Sequence, residues 1–74
     1  MNKIPVEVEV EVRRDGEQIP KAVIWSGGRR FAISQVFYHG MSSSNEYEGI
    51  RYTVIIGSAE KYIYRVNHTW YVMA

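Results

Sequence analysis

The chain has 74 residues, no cysteine and a net charge of +1. Those facts bound it to one small domain over 1–74 and exclude a disulfide framework, a cysteine-bound metal centre and a strong field that steers partners. A core of this size supplies roughly 3–5 kcal/mol of net stability, so two tryptophans, two phenylalanines and six tyrosines are expected to carry much of the packing.

Apolar residues recur at spacing two, β-branched and aromatic types dominate, and no window has helical periodicity. The pattern predicts six short strands. The first runs from about Val6 to Arg13, with Val6, Val8, Val10 and Val12 on a core face and Glu7, Glu9 and Glu11 on the other. Asp15-Gly16 supplies the turn. Pro20 is expected at the start of a second strand, Lys21 to Ser26, with Val23 and Trp25 sharing a face. Gly27-Gly28 turns the chain into a third strand, about Arg29 to His39. There Phe31 and Ile33 have one parity and Val36 and Tyr38 the other. A bulge near Ser34-Gln35 brings both pairs inward.

Gly40 to Gly49 has no pattern and reads as a mobile loop over 40–49. The fourth strand is Ile50 to Ile56, with Tyr52 and Val54 on one face. The fifth is Lys61 to Val66, where Tyr62, Ile63 and Tyr64 are all large and the pattern leaves the buried face open; if Ile63 is inside, Tyr62 and Tyr64 fall outside. After Asn67-His68, the sixth is Thr69 to Met73, with Trp70 and Val72 inward. Trp25 and Trp70 are both expected in the core, so that replacing either by alanine unfolds the domain. Connections this short predict an all-β fold, a six-stranded antiparallel meander curled into a small barrel or half-barrel.

Residues 1–17 hold three basic groups against five acidic ones, whereas the remainder holds six against three. The glutamate row reads as a solvated face that guards a strand near the meander's edge. The sharper reading pairs Glu7, Glu9 and Glu11 with Arg51, Lys61 or Arg65, each exposed pair being worth roughly 0.2–1 kcal/mol.

Trp25-Ser26-Gly27-Gly28-Arg29-Arg30-Phe31-Ala32-Ile33, then Ile50-Arg51-Tyr52-Thr53-Val54 and Trp70-Tyr71-Val72, resemble a family of small bacterial all-β proteins of unknown function. That family has a tryptophan, a glycine-arginine turn, an aromatic strand, a variable loop, an arginine-aromatic strand and a final tryptophan strand. The similarity spans about residues 21–73. The turn here has an extra glycine, and the loop lacks the family's tryptophans. The resemblance implies a DNA-related accessory role, since some members look linked to DNA-damage polymerases.

Chemistry finds little footing. The serines cluster at Ser42 to Ser44, away from any base, and His39 and His68 lie in different connections. Neither a nucleophilic triad nor a metal site is expected; the protein reads as a non-enzyme without a cofactor. Gly27-Gly28-Arg29-Arg30 is either a hairpin turn flanked by solvated arginines or a small anion nest. The tyrosines are either structural or part of a stacking face, for which the candidate residues are Arg29, Arg30, Arg51, Tyr62, Tyr64, Arg65 and Tyr71. The leading functional expectation is an interaction module that binds another protein or itself through sheet edges and aromatic surface; the alternative is a nucleic-acid accessory module. No apolar run approaches a membrane span and no secretory signal opens the chain, so the cytoplasm is the expected compartment.

Overall fold

A computed structural model of the chain describes residues 2–41 and 47–73. Six strands form: β1 (Lys3–Val12), β2 (Gln18–Ile24), β3 (Arg30–Met41), β4 (Ile50–Ile56), β5 (Ala59–Val66) and β6 (Thr69–Met73). Each runs antiparallel to the next, and β6 returns to β1, so the meander closes into a barrel. Two strands change neighbour along their length. β1 pairs with β6 over Lys3 to Val6, then with β2 over Glu7 to Val12. β3 pairs with β2 over Arg30 to Ala32, then with β4. Such hand-overs let a small sheet wrap around one core.

The bends have identifiable causes. β3 shifts register between Ile33 and Gln35, as the change of parity there requires. Ile33 and Val36 consequently both pack on the core. A second shift, between Val36 and Tyr38, sets Tyr38 opposite Thr53 and breaks the common phase expected for Val36 and Tyr38. β1 and β2 shift between Glu9 and Val10, where Ala22 and Pro20 are successive partners and Lys21 is skipped. Pro20 therefore lies inside β2 rather than at its start, and the bulge is what accommodates a residue without an N–H.

The interior holds Val23, Tyr52, Val54, Ile63 and Trp70, with Val6, Val8 and Val72 among the residues packed against them. A barrel this narrow is filled by side chains. The rings of Tyr52 and Trp70 meet at 5.1 Å and fill its width. The valine row is only half a core row. Val10 and Val12 are exposed, Val12 at 63%, because the β1–β2 hairpin runs on past the barrel's end. Trp25 also departs from expectation: it lies one residue beyond β2, in the turn, and is 36% exposed.

The upper end of the barrel carries the 25–29 and 57–58 turns with the start of β1 and the end of β6. The lower end carries the 13–17 and 67–68 turns and Tyr47 to Gly49. Of the expected loop over Gly40 to Gly49, Gly40 and Met41 belong to β3, and 42–46 lie outside the described residues.

Candidate functional site

The strand registers place Pro5, Tyr71, Tyr64, Arg51 and Gly40 side by side on the outward face of five strands. This is the row on which the stacking face was expected. Tyr64 and Tyr71 do point away from the core, and their rings stack at 4.9 Å. Yet they are only 7% and 5% exposed, because Tyr47 and Glu48 fold across them. Tyr47 packs on Tyr64 at 5.2 Å. The Tyr71 hydroxyl donates to the Glu48 carbonyl at 2.7 Å and accepts from the Glu48 amide at 3.2 Å. Lys3 pairs with the Glu48 carboxylate and lies 5.0 Å from the Tyr71 ring centre. At the far side Arg51 sits over Tyr47 at 4.8 Å and over Tyr62 at 4.5 Å. The tyrosines are thus a covered second cluster, and Tyr62, 48% exposed, is the member left open.

Arg65 leaves the expected surface altogether. Its register partners are Ile50 and Trp70, both on the inward phase. The guanidinium donates to the Tyr52 hydroxyl at 3.1 Å and to the Asn67 carbonyl at 2.6 Å. It closes the lower end of the barrel over an aromatic that itself donates to the Gln18 carbonyl at 3.4 Å.

Arg30 is engaged elsewhere too. It grips Glu9 through Nε at 2.9 Å and Nη2 at 3.0 Å, a bidentate pair that spans β2. Ala22 lies beneath that span and is fully buried although it faces outward. Glu11 lies 3.9 Å from Lys21. The glutamate row is therefore served by Arg30 and Lys21, not by Arg51, Lys61 or Arg65. Glu7 to Val12 have no β6 partner, so the row also borders the open side of a half-paired strand, where charge discourages intermolecular pairing.

The hydrogen bonds from Arg30 hold the Glu9 carboxyl below its usual 4.5, and those from Lys3 do the same for Glu48. A carboxyl with a depressed folded value contributes stability above the ordinary carboxylate range and loses it as the pH falls through that value. Both groups are expected to titrate below 4.5 in a carboxyl-detected NMR titration, with unfolding midpoints dropping as the pH moves down from that range. A Glu48 midpoint at the usual value would show that Tyr47–Gly49 is open in solution.

The upper end of the barrel opens into a groove of ≈ 730 Å³, within the range of ligand pockets. Trp25 and Phe31 line it from the β2–β3 side and Lys61 and Tyr62 from β5, with Val23, Ile56, Ile63 and Val72 also in its lining. Trp25 continues the inward phase of Val23 past the strand's end, so its ring stands at the mouth rather than in the core. Two hydrogen bonds fix that turn, Trp25 N–H to the Arg29 carbonyl at 2.7 Å and Gly28 N–H to the Trp25 carbonyl at 3.0 Å. The turn lifts Arg29 over Phe31, 5.3 Å from its ring centre. Lys61 has the inward parity of Ile63 and reaches out through the opening. Of the seven expected site residues, Arg29, Tyr62 and the edge of Tyr64 meet this groove. Trp25 and Phe31 were not expected here, and their signal is positional: an inward-phase residue beside a turn is a mouth residue.

Two further openings mark where strands part. One lies between β1 and β6 beside Val10 and His68, the other between β2 and β3 beside Ile19 and Phe37. The second runs along a stretch of β3 that carries both of its bulges, features that blunt an edge. Among the described residues no three of His, Asp and Glu converge in a way that would hold a metal ion. No family model matches the chain, no curated protein matches it, and no solved structure matches it.

Proposed function

We propose that the protein is a non-catalytic interaction module that binds another polypeptide, through the groove at the upper mouth of the barrel. The observation that carries this reading is the groove itself, with an aliphatic and aromatic lining and a tryptophan held 36% exposed in a hydrogen-bonded turn. Exposed apolar concavities of this kind mark binding sites, and aromatic residues dominate the energetics of protein interfaces. Closure pairs each strand with a neighbour on both sides over part of its length, so the aromatic surface is a better route to a partner than a sheet edge.

A second reading has its own support. Arg29 over Phe31 and Arg51 over Tyr62 combine cations with aromatic rings, as single-strand binders do. That is the accessory role the family resemblance implies.

Panning a random peptide library against the wild type and Trp25→Ala separates the two. Enriched peptides are expected to bind the wild type and to lose binding in Trp25→Ala. No enrichment, together with oligonucleotide anisotropy that falls steeply with salt, would transfer the function to the nucleic-acid reading.

A further inference from the structure

We propose that the mouth groove selects an acidic segment: a peptide presenting one bulky apolar side chain flanked by carboxylates. The inference rests on the polypeptide-binding reading and adds the chemistry of the partner.

Depth argues for an inserted side chain. The lining reaches the buried core residues Val23 and Ile63, with the aliphatic Ile56 and Val72 beside them, and carries Trp25 from the end of β2 and Tyr62 from β5. A flat base finds its partner in an open ring face. Here Arg29 already lies on one face of Phe31, and Arg51 on one face of Tyr62. Each of those rings keeps at most one face for a base, and among the described residues no cation sits on the Trp25 ring.

Charge argues for carboxylates. Arg29 and Lys61 flank the groove from opposite walls, one on the turn after β2 and one on β5. Both are exposed, and neither has an ion-pair partner among the described residues. Among the described residues Glu60 is the one acidic residue in the groove's lining. Two cations on either side of an apolar slot match a carboxylate on each side of an anchoring side chain. They fall short of the continuous basic track that a polyphosphate backbone needs. Guanidinium and ammonium groups at a rim set selectivity and orientation more than raw affinity.

The test uses Trp25 as its own reporter. Trp70 is buried, so the two indole N–H signals separate a mouth event from a core event. Three capped peptides share a central phenylalanine flanked by glutamates, by serines or by lysines; a fourth probe is oligo-dT. The Trp25 indole signal is expected to move with the glutamate peptide, about fivefold more tightly than with the serine peptide, as two exposed ion pairs give. The lysine peptide is expected to bind weakest, and Trp70 to stay still. Arg29→Glu combined with Lys61→Glu, both at exposed positions, should reverse the order.

Equal binding of all three peptides at Trp25 would overturn the acidic selectivity while leaving the mouth as a polypeptide site. No shift of Trp25 with any peptide would remove both. Tighter, salt-sensitive binding of oligo-dT at Trp25 would overturn the inference in favour of single-stranded nucleic acid.

Discussion

Trp70→Ala is expected to leave the chain unfolded at room temperature, with no cooperative transition in a urea titration followed by circular dichroism. Trp70 is 5% exposed and packs on Tyr52 at 5.1 Å. It lies opposite Val6, the last residue of β1 that pairs with β6. Its indole fills the barrel where β1 departs and no backbone ladder holds the wall. Large-to-small changes of a buried tryptophan cost roughly 3–5 kcal/mol, about what a domain this small has in total. Trp25→Ala is the contrast, and here the outcome differs from what spacing alone implies. The Trp25 ring stands at an open mouth, so its replacement should lower stability by only about 1–2 kcal/mol and leave a folded protein. Equal losses for the two variants would mean that the mouth is closed over Trp25 in solution. The Trp25→Ala protein is also the one that tests binding, so its retained fold matters for function.

The contrast shows what alternation reveals. Period two fixes which side of a strand a residue faces. It therefore identified β4 and β6 to the residue, the shared face of Tyr52 and Val54, the inward Trp70 and the bulge at Ser34-Gln35, and it left open which face of β5 is buried, because Tyr62, Ile63 and Tyr64 are all large. It does not say where along a strand the wall of the barrel ends. Trp25 and Val12 have the right parity and lie past that limit, one at the mouth and one on a projecting hairpin. Nor does it show what covers the outward side. Tyr71 was rightly placed on the outside, and Tyr64 on the condition that Ile63 faces in, but Glu48 reaches Lys3 and Tyr71 from 45 and 23 residues away, and no local pattern encodes such a contact. Charge pairing was likewise hidden. Glu9 meets Arg30 because the registers bring both onto the outward side of β2's neighbours with only the small Ala22 between them, a fact about register rather than about either residue's neighbours in sequence.

Gly49→Ala probes that cover. Gly49 has φ +84°, and a Cβ there would sit 2.1 Å from the Arg65 carbonyl oxygen, 2.8 Å from Val66 Cγ2 and 3.0 Å from the Arg65 carbonyl carbon. Two of those three atoms are backbone in β5, and Arg65 is pinned between Ile50 and Trp70. The strand cannot yield, so the 47–49 segment must lift. The left-handed conformation alone costs an alanine about 1–2 kcal/mol, and the clash adds to it. Gly16→Ala isolates the first part, since Gly16 has φ +87° and nothing within 4 Å of a Cβ. Gly49→Ala is therefore expected to be the more destabilised of the two, with the barrel's circular dichroism retained. Once the segment lifts, Lys3 no longer holds Glu48. The Glu48 midpoint should return to the usual 4.5, while the Glu9 midpoint, fixed by Arg30, stays depressed. An unaltered Glu48 midpoint in a folded Gly49→Ala protein would show that the segment is held by something other than this close approach. Lifting also bares Tyr64 and Tyr71 beside Arg51. If oligonucleotide binding appears in this variant and is absent from the wild type, the outer tyrosine row is a nucleic-acid surface kept shut by one glycine; if it stays absent, those rings are packing, and the mouth is the protein's interactive face.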